Sequence, residues 1–215
     1  AAIAKEVLPG YLVPEEYKVI DVLGKTPDQV AGEIVKDVGE AANTGCVIVL
    51  CGLSGTGKGT TVARLKTILP NAQTWSNGNI FRSITLLCAR YCAKKTKETE
   101  QPVPLQEALK PENLASFMKC LSFGKFGPEG AFDTRIFSEE LEVNELVGNV
   151  QNTLLKSPEV GKIIPTVAQE TQGEVIAFVT GALQQLAAAG KIVLLEGQWR
   201  QSLSPKYFTD IFRQR

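Results

Sequence analysis

Two stretches of the chain are apolar at nearly every position. Residues 46–51, Cys-Val-Ile-Val-Leu-Cys, and residues 192–195, Ile-Val-Leu-Leu, between Lys191 and Glu196, show no alternation and are rich in β-branched side chains. Continuous short runs of this kind predict strands buried on both faces of a parallel sheet. Between them the pattern changes to helical spacing. Thr26 followed by Pro27 predicts a helix start, with Val30, Ile34, Val35 and Val38 on one face of a helix that continues to Gly45. Further helices are predicted over residues 58–69, stopping near Pro70, and over 79–95, with a short one opening at Pro111 and Glu112. Ser138 with Glu139 to Glu142 predicts a capped helix running towards Leu155. Ser157-Pro158-Glu159 opens another, which Pro165 is expected to kink or divide, and a long helix is expected over 172–189, ending at Gly190.

The remaining segments are irregular. Residues 1–25, with Pro9, Gly10 and Pro14, read as an extended arm that docks on something. The charged tract 94–100, followed by Pro102 and Pro104, reads as a solvated linker, residues 124–130 as a loop, and 132–137 as a strand. Strands alternating with helices predict an α/β fold. The chain divides on this reading into an arm and leading helix, 1–45, and a main domain, 46–215, with a small helical insertion at about 94–137.

Composition narrows the function classes. Lys+Arg and Asp+Glu both number 23, so no global field attracts a nucleic acid polymer or an anionic membrane. The most apolar helical stretch, 175–189, is interrupted by Thr180, Gln184 and Gln185, and no membrane span is expected. Five cysteines (46, 51, 88, 92 and 120) with no CxxC pair fit a reduced compartment. Cys88 and Cys92 stand four apart but lack a further ligand set, and read as inert thiols. A start at Ala1 and not at Met fits either a removed leader, which would point to an organelle, plastid stroma or mitochondrial matrix, or a sequence without its own start, with the cytoplasm as the other reading.

The chemistry sits after the first apolar strand. Gly52-Leu-Ser54-Gly55-Thr56-Gly57-Lys58-Gly59-Thr60 satisfies G-x-x-x-x-G-K, with Gly59 where Ser or Thr is common. Gly52, Gly55 and Gly57 allow a turn whose successive N–H groups converge on a phosphate, aided by the positive end of the following helix. Lys58 supplies a mobile charge for the β- and γ-oxygens, and the hydroxyl of Thr60 or Thr61 can join a magnesium shell. The alternative is a glycine-rich turn that merely links strand to helix.

The Gly-Lys-Gly-Thr ending, with Gly55 and Gly57 before it, resembles the nucleoside monophosphate kinases. The next segment, Ser76-Asn-Gly-Asn-Ile-Phe-Arg-Ser83, is similar to the cytidylate kinase pattern of a polar residue and Gly before a helix carrying an aromatic-Arg pair. Matched by position, Asn77, Gly78 and Arg82 fall where that family contacts the acceptor monophosphate, with Arg82 on its phosphate. Residues 142–150, 157–160 and 193–197 resemble the family as well, so the similarity spans residues 46 to about 197.

The resemblance implies a three-layer P-loop NTPase fold, a parallel β-sheet flanked by helices, and transfer of the ATP γ-phosphate to a small nucleotide such as CMP or dCMP with Mg2+. Lys58, Arg82 and Arg200 would be catalytic, and Gly52, Ser54, Gly55, Thr56, Gly57, Lys58, Gly59, Thr60 and Thr61 would hold the nucleotide.

The chain also departs from the family. Glu196-Gly197-Gln198-Trp199-Arg200 replaces the usual Asp-Gly-Arg-Asp, and Gly161 and Lys162 stand where another arginine is common. The sequence ends at Arg215, before the family's lid arginines and last strand and helix. These departures imply a second reading, a kinase fold of weak or no activity kept as a structural or nucleotide-sensing subunit of a larger assembly. Arg135 on a phosphate and Glu196 near magnesium are weighed against ordinary ion pairs, and Trp199 stacked on a base against a packing anchor.

Overall fold

The computed structural model describes residues 17–52, 56–196 and 210–214. Two compact units divide the chain, one of residues 1–76 and 183–215, the other of residues 77–182.

The first unit is α/β. Strand β1 (Tyr17–Ile20) is followed by helix α1 (Pro27–Val38), a single turn α2 (Ala41–Thr44), β2 (Val47–Gly52), helix α3 (Lys58–Ile68) and β3 (Ala72–Trp75). Thr26 caps α1 as expected, in a reciprocal box: the Gln29 amide donates to Thr26 Oγ1 at 3.3 Å, and the Thr26 amide to Gln29 Oε1 at 2.8 Å. The helix stops at Gly39, earlier than expected, and a separate turn carries the chain to Gly45.

In the second unit, α4 (Asn77–Thr99) leads into α5 (Leu105–Ala108), α6 (Pro111–Lys119) and a three-stranded antiparallel sheet of β4 (Leu121–Lys125), β5 (Phe132–Ser138) and β6 (Val143–Leu146). A short α7 (Val147–Val150), α8 (Pro158–Glu170) and α9 (Gln172–Ala188) follow, and α9 crosses the unit boundary at its C-terminal end. Returning to the first unit, β7 (Ile192–Glu196) and β8 (Asp210–Gln214) complete its sheet.

That sheet has five strands in the order β1-β8-β2-β7-β3, and every neighbouring pair is parallel. The first apolar run is therefore the central strand, and the second lies beside it. Both are buried on both faces. Ile48, Leu50, Ile192 and Leu194 pack with Val30, Ala31 and Ile34 of α1 and Val62 and Leu65 of α3, while Val47, Val49, Val193 and Leu195 are buried on the opposite face. The sheet is flanked by helices, as the unbroken hydrophobic runs require. The opening arm contributes more than a strap: its described part, β1, pairs with β8 as the edge strand, and residues 1–16 lie outside the described residues.

Four expectations are corrected in the second unit. The tract 94–100 is not a linker: α4 continues to Thr99, and its lysines find helical partners, Lys94 with Glu98 at 3.7 Å and Lys95 with Glu98 at 2.8 Å. Charge at i, i+3 and i+4 supports a solvated helix as readily as a loop. Residues 138–155 do not form one helix. Ser138 Oγ accepts from the Leu141 amide at 3.2 Å, which caps a tight turn, Glu142 takes a positive φ of 53°, and Val143–Leu146 pairs with β5 as a strand. The Ser138 hydroxyl serves a hairpin turn as readily as a helix start, and here the segment after it pairs with β5. Finally, Pro165 does not divide α8, which runs from the Ser157 cap to Glu170, and the break falls at Thr171. The expected loop 124–130 is shorter as well, since Gly124 and Lys125 belong to β4 and pair with Asp133 and Phe132, whereas the strand expected over 132–137 begins at Phe132 as β5. Among the described residues no helix is long and apolar enough to cross a membrane.

Candidate functional site

Because all five strands run the same way, their C-terminal ends share one edge, where α/β sheets present residues to ligands. The central strand reaches that edge at Gly52, with Glu196 of β7 in register with Leu50 and Gln214 of β8 in register with Gly52. Ser54 and Gly55 lie outside the described residues, as does Arg200 with the Gly197-Gln198-Trp199 segment before it.

The chain is described again at Thr56, which is half-buried. Gly57 then takes φ 82° and ψ 13°, a left-handed conformation, as the N-cap of α3. An added Cβ there would meet nothing within 4 Å, so the demand for glycine comes from the backbone and not from crowding. Lys58 is the first helical residue and half-buried, and Gly59 and Thr60 are exposed. The Thr61 amide, donating to the Gly57 carbonyl at 2.9 Å, makes the first bond of the helix, which leaves the Gly59 and Thr60 amides without an acceptor inside it. The Thr61 hydroxyl donates to the same carbonyl at 3.2 Å and is buried, whereas the Thr60 hydroxyl stands at the exposed position. Of the two threonines, Thr60 is the one whose hydroxyl the helix does not use.

Helix α3 is anchored from behind. Arg64 forms an ion pair with Asp28 of α1, and Leu65, fully buried, packs in the common core. The turn that carries Gly57 and Lys58 thus rests on a helix held against the sheet and on the central strand of that sheet.

In the second unit, Asn77 and Gly78 open α4, and Arg82 follows on its second turn; all three are half-buried. Arg82 makes no hydrogen bond or ion pair with another described residue. From Ser83 to Ala89 the helix is buried on all sides, and Ser83 and Thr85 satisfy their hydroxyls on the carbonyls of Asn79 and Phe81 at 2.8 and 2.7 Å. Arg135 is engaged locally, though not in the ion pair weighed for it: it donates to the neutral Asn144 Oδ1 through Nε at 3.1 Å and Nη2 at 2.9 Å and lies over the Phe137 ring, 4.7 Å from its centroid.

The cysteines behave as small apolar groups. All five are free, with Cys46, Cys51 and Cys88 buried. Burial first, and the neighbouring Cys92 second, push the Cys88 thiol up to about 12. Among the described residues no group of three or more His, Cys, Asp or Glu side chains gathers as a metal cage.

Three residues near the start of α4 escaped the sequence reading. Gln151 accepts from Asn79, and Gly148 and Asp133 stand behind it. Their signal is absent from any local window, since Gln151 is 72 residues from Asn79. No family model matches the chain, and no curated protein matches it.

Proposed function

We propose that this chain binds a nucleoside triphosphate at the turn between β2 and α3, in a P-loop NTPase fold, and that it acts as a nucleoside monophosphate kinase of the cytidylate kinase kind. The observation that carries this reading is Gly57: a left-handed glycine directly before Lys58, at the N-terminus of an 11-residue helix that leaves the central strand of a parallel sheet. That junction supplies amides, a helix dipole and a lysine, a donor set suited to phosphate oxygens and to no cation.

Lys58 would meet the β- and γ-oxygens, and the Gly59 and Thr60 amides would face the phosphate chain. A magnesium ion bound with the triphosphate would neutralise charge between its phosphates, and the exposed Thr60 hydroxyl would be the one to hold it. Arg82, half-buried without a described partner, is suited to the acceptor's phosphate, where a guanidinium binds two oxygens at once. Each of these groups positions or neutralises, which is most of what phosphoryl transfer asks of a protein.

The altered segment 196–200 favours a second reading, a nucleotide-binding subunit without turnover, with residues 1–16 as a docking segment for its assembly. A coupled assay with ATP, Mg2+ and each of CMP, dCMP, UMP and AMP separates the two. Turnover in the wild type that disappears in Lys58→Ala supports the kinase; ATP binding without turnover supports the subunit; a folded protein that binds no ATP, GTP or diphosphate removes both.

A further inference from the structure

One run of hydrogen bonds ties three elements of the second unit together. Asn79, in the first turn of α4, donates from Nδ2 to Gln151 Oε1 at 3.0 Å. Gln151 donates from Nε2 to the Gly148 carbonyl at 3.3 Å, and the Gly148 amide donates to both carboxylate oxygens of Asp133 at 3.1 Å. Asp133 Oδ1 also accepts from the Thr134 amide at 2.7 Å, on β5. Both ends of the Asn79 to Gln151 contact are held from elsewhere. The Gln151 amide donates to Val147 O at 2.8 Å, and the buried Ser83 hydroxyl donates to Asn79 O at 2.8 Å.

The order of donors and acceptors sets the orientation of each amide group. A backbone carbonyl only accepts, so Gln151 must turn its NH2 to Gly148 and its oxygen to Asn79, and Asn79 must then offer its NH2. Reversing Gln151 would set oxygen against oxygen at one end and nitrogen against nitrogen at the other. The conformation of Asn79 is thus dictated from β5 and α7. Arg82 stands three residues after Asn79 and is its neighbour on the helix surface.

We propose that Gln151 is a positioning residue for the acceptor nucleotide: through Asn79 it locks the first turn of α4, so that Arg82 meets the acceptor phosphate at a fixed place. The proposal rests on the reading of residues 77–82 as the acceptor site. First turns of helices are where backbone amides lack partners and fraying begins, and this one is held by a contact to another element. In a reaction governed by placement, a shift of about 1 Å in such a group can cost on the order of a hundredfold.

The test is equilibrium binding of CMP, and separately of ATP with Mg2+, to the full chain. Gln151→Met keeps the side-chain length and removes both hydrogen bonds; it is expected to weaken CMP binding about tenfold, a loss of the size of one half-buried hydrogen bond and its unpaired partner, with ATP affinity unchanged. Asn79→Leu removes the contact from the other side and is expected to give the same loss, and the two substitutions together no more than either alone. A purely structural role would lower ATP and CMP affinity alike, which overturns the proposal. CMP affinity equal to the wild type in either folded variant, while Arg82→Ala loses CMP, overturns it and leaves the acceptor site standing. Wild-type protein that binds no CMP, or an Arg82→Ala variant that binds it normally, overturns the site and the positioning role together.

Discussion

The Gly148 amide donates to both oxygens of the Asp133 carboxylate at 3.1 Å, and a Cβ on Gly148 would stand 2.6 Å from Oδ2. The glycine is needed for this approach and not for its backbone conformation. In Gly148→Ala the short Asp133 side chain must swing away, and the charge-assisted contact between β5 and the start of α7 is lost. Both groups are partly solvated, so the expected cost is about 1 kcal/mol. Urea unfolding checks it: in a double-mutant cycle with Asp133→Ala the double variant should lose less than the sum of the two single losses, because the two residues share one interaction, while Asp133→Ala also gives up the Thr134 amide contact.

Gly57 poses the opposite case, with open space around it and a positive φ. Gly57→Ala is expected to destabilise by about 1–2 kcal/mol through backbone conformation alone. Gly57→Asn should cost less, since Asn tolerates the left-handed region. Thermal melts of the two variants, ranked against the wild type, test this, and equal melting temperatures for Ala and wild type would contradict the conformation.

Thr26 closes a reciprocal cap on α1, the helix whose Ile34 is fully buried against the sheet. Thr26→Ala should cost about 1 kcal/mol, and Thr26→Asp, which keeps an acceptor for the Gln29 amide, close to nothing. The midpoint of chemical unfolding distinguishes them.

Cys88 gives the pH dependence a sign. Burial raises its thiol from 9.0 to about 12 in the folded chain. Below pH 9 both states hold the proton; above it the unfolded chain releases the proton first, so the unfolded state binds fewer protons and stability falls as pH rises. The contribution is whole below pH 9 and is lost as pH climbs towards 12. Between pH 8 and pH 10 the wild type is expected to lose up to about 1.4 kcal/mol more than Cys88→Ala, measured by urea unfolding at the two values.

Much of this architecture is legible along the chain, and the parts that are share a physical origin. The Thr26 cap, the unbroken apolar runs 47–50 and 192–195, the glycine-lysine junction at 57 and 58, and the Ser157-Pro158 helix start all act within a few residues of themselves. Their backbone preferences, caps and burial patterns are therefore written in local spacing. Local rules misread the chain where two structures satisfy the same residues. The lysines and glutamate at 94–98 serve a solvated helix as well as a linker, and the Ser138 hydroxyl caps a hairpin turn as well as a helix.

Pairing over distance belongs to the tertiary structure alone. Nothing near Tyr17–Ile20 or Asp210–Gln214 announces that these segments lie side by side in one sheet, because a strand's neighbour is chosen by what the rest of the chain leaves to bury and to hydrogen-bond. For the same reason the sequence determined that Asn79 and Arg82 would share a helix, while only the folded unit brought Gln151, Gly148 and Asp133 to bear on them. Hydrogen-bond complementarity between residues so far apart exists only once the backbone has closed the distance.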